Sequence, residues 1–166
     1  MFRTRLGSGL VVWLVSAVIG VSPAAAQEEY YEYAVKIVCG TPTPERVGVA
    51  PGTYFTAINI HNPNPNPIDT VFFRKKFALT APKEQPGPVS PFSVNWLVSD
   101  RALEIDCADV FARAKAKGFA KGYAVIQSPR VLDVVAVYTA AGATRQVETM
   151  HLERVPPRMI RGTLKF

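Results

Sequence analysis

Apolar residues follow two patterns along this chain. Leu10 to Val21 is an apolar run broken only by Ser16 and Gly20, whereas from Tyr31 onward apolar and polar positions alternate. A period of two is the pattern of a β-strand with one covered face. Tyr31, Tyr33, Val35, Ile37 and Cys39 form the first such set, with Cys39 directed inward, and Gly40 to Glu45, with two prolines, ends it. Tyr54, Thr56, Ile58 and Ile60 predict a second, largely buried strand. The three-fold Asn-Pro run at 62–67 predicts a stiff, exposed connection, because each proline fixes its own φ and pushes the preceding asparagine to extended backbone.

Residues 68–79 resume strand character, with Lys75 interrupting the apolar face and a bulge expected near Arg74-Lys75-Lys76. The proline-rich stretch 81–91 reads as a loop. Phe92, Val94, Trp96 and Val98 alternate, as do Leu103, Ile105 and Cys107, giving two short strands. The stretch 106–118 predicts the one helix: Asp106 is available as N-cap, the middle is alanine-rich, cations come late and Gly118 follows. Residues 119–126 and 131–139 predict two more strands, the second so β-branched that it belongs in the interior of a sheet with Val135 in a dry core. Residues 147–155 follow, Pro156-Pro157 closes the domain, and about 157–166 reads as a loose tail.

Seven or eight short strands, proline-rich turns and one short helix predict an all-β fold, an antiparallel immunoglobulin-like β-sandwich, with a small barrel as the second architecture. Trp96 lies between the two cysteines but close to the second, so the architecture is expected without membership of that superfamily. The segments Gly52 to Asn64 and Ser128 to Ala140 resemble small exported bacterial β-sandwich proteins of unassigned function. More remotely, the order of elements is similar to the β-sandwich of sensory rhodopsin transducer proteins. The resemblance implies a fold; no functional residue carries over.

The first apolar run changes where this fold is expected to form. Arg3 and Arg5 precede it and Ala24-Ala25-Ala26 follows it, the cationic start, apolar middle and small-residue cut site of a signal peptide over residues 1–26. About twelve helical residues span only ~18 Å of a ~30 Å hydrocarbon core, so no stable transmembrane anchor is expected. The arginines are not adjacent and no cysteine stands at the cut, which argues against twin-arginine export and lipidation. A single domain, 27–166, is expected in the periplasm or outside the cell. Export favours a disulfide between Cys39 and Cys107, the two cysteines present, over a metal or redox pair, for which the C-x-x-C spacing is missing.

The formal net charge of +6 falls to +4 once Arg3 and Arg5 leave. Cations recur as Arg74, Lys75 and Lys76, then Lys115, Lys117 and Lys121, then Arg158, Arg161 and Lys165. Interleaved with Phe72, Phe73, Phe77 and Phe119 they are candidates for an anion-binding surface with stacking platforms. The competing reading places the phenylalanines in the core and the lysines at strand edges and the helix end. Tyr30, Tyr31, Tyr33 and Trp96 are candidates for stacking on sugars, against ordinary cross-strand packing.

Catalytic chemistry has little to work with. His61 and His151 are the two histidines, and an acid-base or metal site would recruit one of them with Asp69, Asp100, Asp106 or Asp109. Ser128 lacks a nucleophile-elbow motif. Glu104 and Asp106 alternate on one strand face in the manner of a glycosidase pair, or simply as its solvated side. No cofactor or metal is expected. The reading is an exported non-enzymatic binding or structural accessory module of the bacterial envelope, with a carbohydrate- or anionic-polymer-binding module as the alternative and a His-Asp hydrolase third. The partner is an envelope protein or anionic polymer, with nucleic acid not expected and homo-oligomerisation allowed.

Overall fold

A computed structural model describes residues 28–43, 49–142 and 146–166. The expected signal peptide lies outside these residues. Among the described residues ten strands and one helix occur in the order β1 (Glu29–Gly40), β2 (Thr53–His61), β3 (Thr70–Thr80), β4 (Pro86–Val89), β5 (Ser93–Val98), β6 (Ala102–Ile105), α1 (Cys107–Ala114), β7 (Phe119–Ser128), β8 (Asp133–Ala141), β9 (Val147–Arg154) and β10 (Arg158–Arg161). The described fold is all-β and antiparallel with one short helix. Its strands form one open hydrogen-bonded sheet ordered β4-β3-β7-β1-β2-β8-β9, with β5 on β3, β6 on β2 and β10 on β1.

Alternation along the strands builds the core. Tyr33, Val35, Ile37 and Cys39 of β1 are buried, facing Ile58 and Ile60 of β2, Val71, Phe73 and Phe77 of β3, Ala124 and Ile126 of β7, and Val134 and Ala136 of β8. β1 and β2 meet at a single register pair, Gly40 and Tyr54. Gly40 has φ +85°, and a Cβ there would collide with the Gly118 carbonyl, so this corner requires glycine. Cys39 and Cys107 are bridged, with Cα atoms 5.5 Å apart, tying β1 to the first residue of α1.

The helix begins where its cap predicts. The Asp106 carboxylate accepts the Asp109 N–H at 3.0 Å and the Asp109 carboxylate accepts the Asp106 N–H at 3.3 Å, a reciprocal capping box. It ends at Ala114 and not near Gly118, because Lys115 takes the left-handed conformation at φ 52°. In the 62–67 run the side-chain oxygens of Asn62, Asn64 and Asn66 accept the N–H of Asn64, Asn66 and Ile68 at 3.2, 3.1 and 3.3 Å. Each asparagine thus bonds two residues on, over a proline with no donor of its own, which makes the connection stiff.

Several expectations are corrected. The register of β3 against β5 and β7 is unbroken through Arg74-Lys75-Lys76, and the irregularity lies instead between Ala78 and Thr80, opposite β4. Part of the 81–91 loop is strand β4, and part of the loose tail is β10, which pairs Arg158–Arg161 with Glu29–Glu32 of β1. β8 is interior to the sheet, but Val134 and Ala136 face the core and Val135 does not. On β5, Leu97 is buried while Val94, Trp96 and Val98, with Phe92 just before the strand, are exposed. That set faces solvent because β5 covers the core with its other face.

Candidate functional site

The outward side of the β5-β3-β7-β1-β10 region gathers cations and aromatics from segments far apart in sequence. Strand registers define its rows. Phe72 of β3 lies opposite Trp96 of β5, and the two are 52% and 64% exposed. The next row runs Val94, Arg74, Gln127, Glu32 and Arg158 across five strands. Then come Lys76, Val125 and Ala34, followed by Ala78, Tyr123 and Lys36. Lys121 continues the same face of β7, opposite Val38.

Hydrogen bonds hold the central row in place. Arg74 Nε donates to Gln127 Oε1 at 2.8 Å, Gln127 Nε2 donates to Glu32 Oε2 at 2.7 Å, and Arg158 donates to Glu32 Oε1 at 2.7 Å. Arg74 also donates to the Lys165 carbonyl, so the end of the chain lies against this face. The Arg74 guanidinium stands 4.2 Å from the Phe92 ring centroid and Lys76 Nζ 4.7 Å from it, while Lys36 Nζ stands 4.8 Å from the Tyr123 ring. Such stacking keeps charge at the surface while fixing where it points.

The structure divides the expected anion-binding residues. Arg74, Lys76 and Lys121 share the face, joined by Arg158. Lys75 does not: it is 4% exposed and points inward between Phe73 and Phe77, because one strand cannot turn three consecutive side chains the same way. Burial pushes its ammonium pKa down, partly offset by Asp109, with Arg113 adding to the depression. Lys115 and Lys117 are away from these rows, the first as helix C-cap and the second beside Thr41, Lys83 and Gly118 at the strand ends. Phe73, Phe77 and Phe119 are buried as core residues, but Phe72 is not. Of the proposed sugar-stacking residues Trp96 is exposed, Tyr30 and Tyr31 are half-buried and Tyr33 is fully buried. Sequence reasoning missed Lys36 and Tyr123; their outward parity on β1 and β7 was the available signal.

Of the candidate acid-base groups, the structure brings His61 beside Asp100. His61 lies between two carboxylates, Nε2 3.1 Å from Asp100 and Nδ1 3.5 Å from Asp133, and Arg154 holds Asp133 at 2.7 Å. The His61 and Asp133 side chains are each 36% exposed and that of Asp100 is 87% exposed. His151 lines a shallow cleft of about 260 Å³ with Tyr54, Phe55, Tyr138 and Met150, and its ring stacks on Tyr138 with no carboxylate in the lining. Tyr138 has its phenol pKa raised by burial and by Glu153, to which it donates at 3.3 Å. Asp69 is held by Arg130 at 2.6 Å, which lowers its carboxyl pKa. Ser128 is fully buried, its hydroxyl accepting the Arg130 N–H at 3.3 Å. Glu104 is on β6 whereas Asp106 caps the helix, so the two do not alternate along one strand. Among the described residues no His/Cys/Asp/Glu group is arranged to hold a metal, and no helix is long and apolar enough to cross a membrane.

No protein-family model matches the chain, and no curated protein matches it. Among solved structures it is similar to the crystal structure of Thermotoga maritima 1070, at 9% identity and a TM-score of 0.48, over 79% of this chain and 95% of that one.

Proposed function

We propose that this protein is an exported, non-enzymatic accessory module of the bacterial envelope that binds an anionic polysaccharide on its β3-β5-β7 face. The observation that carries this reading is the exposed Phe72-Trp96 pair standing beside Arg74 and Lys76, themselves stacked on Phe92. Large aromatics exposed side by side on a rigid sheet cost solvation and suit the flat faces of sugar rings. The adjoining cations favour a negatively charged chain and are pre-positioned, so little side-chain order is lost on binding. The buried disulfide is compatible with export, since such bridges persist in oxidising compartments. The same reading takes the fold as an immunoglobulin-like sandwich, akin to small exported bacterial proteins. Its support is that β1 and β2 share one register pair while their inward side chains build one core.

Trp13 lies in the proposed signal peptide, so Trp96 is the sole tryptophan of residues 27–166 and its fluorescence reports on the site directly. Titration with an acidic polysaccharide such as polygalacturonate is expected to quench or shift that emission, with affinity falling as salt rises. Phe72→Ala and Arg74→Ala/Lys76→Ala each weaken binding about tenfold, on the order of 1.4 kcal/mol. Equal affinity for a neutral polysaccharide, binding restricted to nucleic acid or to a protein, or indifference to these substitutions overturns the proposal.

A further inference from the structure

The opposite end of the sheet presents a different surface. β9 is the last strand of the sheet path, and all eight of its residues, Val147–Arg154, are exposed. Val147, Met150 and Leu152 are 65%, 73% and 63% exposed. Beyond β9 no strand follows among the described residues, so its outer edge offers a row of backbone N–H and C=O groups, the usual template for pairing with another strand. Short length and proline, two common protections of an edge, are missing from Val-Glu-Thr-Met-His-Leu-Glu-Arg; its one irregularity against β8 lies at the start of the strand, where Ala140 pairs with Thr149 and Ala141 with Val147.

We propose that two copies of this chain join antiparallel through β9, about a twofold axis at His151, to form one continuous sheet. The sequence itself selects that register. In antiparallel pairing the numbers of opposite residues have a constant sum, and opposite residues share a face, so the sum is even and one residue sits on the axis. With His151 on the axis, Glu148 lies opposite Arg154 of the second copy and Met150 opposite its Leu152, each contact occurring twice. With Met150 on the axis, Glu148 would meet Leu152 and Val147 would meet Glu153. With Leu152 on the axis, Met150 would meet Arg154, and with Thr149 on the axis, Glu148 would meet Met150. Opposite charges and apolar pairs directly across a sheet are favourable, while a charge opposite an apolar residue is not.

Two further observations fit this register. Arg154 is held by Asp133 of its own chain at 2.7 Å while its side chain stays 78% exposed. Leu152 and Met150 lie opposite Val137 and Thr139 of β8, which lie opposite Ala57 and Phe55 of β2, and Phe55 is 51% exposed. An apolar strip therefore runs from Phe55 out to the β9 edge, and a second copy would continue it across the seam. None of these residues belongs to the proposed polysaccharide face, so the two proposals fail independently.

The test is the oligomeric state of the purified, disulfide-intact protein by sedimentation velocity and light scattering. A concentration-dependent dimer is expected, and Met150→Lys/Leu152→Lys is expected to be monomeric with an unchanged circular-dichroism spectrum, because both side chains are exposed in the single copy. Glu148→Arg alone and Arg154→Glu alone each place like charges across the seam twice and weaken dimerisation about tenfold. An equimolar mixture of those two variants restores both opposite-charge contacts and recovers the dimer. A monomeric wild-type protein overturns the proposal, as does a dimer that survives Met150→Lys/Leu152→Lys. If the mixture fails to recover the dimer, the His151-centred register is wrong.

Discussion

Tyr33 and Leu132 hold one another through both ends of a single hydroxyl. The phenol donates to the Leu132 carbonyl at 2.9 Å and accepts the Leu132 N–H at 2.7 Å, although the two residues are 99 positions apart. Tyr33→Phe removes the hydroxyl and strands two buried backbone groups, a loss of about 2–4 kcal/mol at 1–2 kcal/mol or more per orphaned group. Denaturant unfolding checks this, and an unchanged midpoint would show that Leu132 finds other partners. Burial also raises the Tyr33 pKa. The unfolded phenol ionises near 10, so the stability linked to this group is complete below about pH 10 and is lost as pH rises toward the folded value. Tyr33→Phe is expected to flatten that alkaline decline in part, the remainder belonging to Tyr138.

Lys75→Met is expected to stabilise the fold at neutral pH. The Lys75 ammonium is pushed down in pKa by burial, and Asp109 only partly answers it. Lys75→Met keeps the volume and removes the charge, so the melting temperature should rise, with a gain of about 1 kcal/mol or more. The unfolded lysine binds more protons than the folded one between the lowered pKa and about 10.5, so wild-type stability rises with pH across that window. Urea titrations at neutral and alkaline pH should show this rise in the wild type and its disappearance in Lys75→Met. A destabilised variant would mean that the attraction to Asp109 outweighs desolvation.

Cutting the Cys39–Cys107 bridge frees a loop spanning a sequence separation of 68. The chain-entropy model puts the loss at about 4 kcal/mol, a large share of a domain's net stability. Reduction with dithiothreitol should lower the melting temperature sharply, and thiol labelling of the native protein should find no free cysteine. Equal melting with and without reductant would contradict the role assigned to the bridge.

Neighbouring positions on β8 should respond oppositely to the same substitution. Val134 is 1% exposed, and an aspartate there is an unpaired carboxylate in a dry core, costing several kcal/mol and preventing folding. Val135 faces the other way and lies opposite Asn59 and Arg154, so Val135→Asp should remain soluble and melt cooperatively. Melting curves of both variants decide it; a folded Val134→Asp protein would show that the strand's core face has been misassigned.

The alternation of residues 31–39 and 54–60 was enough to place two strands and their buried faces, because a strand with one face in a core must repeat with period two. The capping box at Asp106 likewise follows from local chemistry, as does the stiffness of the Asn-Pro run. Pairing of the cysteines was legible from their number and the expected compartment. What local pattern does not contain is which side of a strand meets the core when both sides carry apolar residues. At β5 the apolar register Val94, Trp96 and Val98, begun by Phe92 just before the strand, turned outward, and on β8 Val134 was chosen over Val135. Those choices depend on which neighbours a strand acquires, a non-local property. The proposed binding face is non-local too: Lys36, Arg74, Trp96, Tyr123 and Arg158 come together only because β1, β3, β5, β7 and β10 lie side by side. Cation clusters in sequence were therefore a poor guide, since a strand sends adjacent lysines to opposite faces. Tertiary pairing buried Lys75 and left Arg74 and Lys76 on the surface.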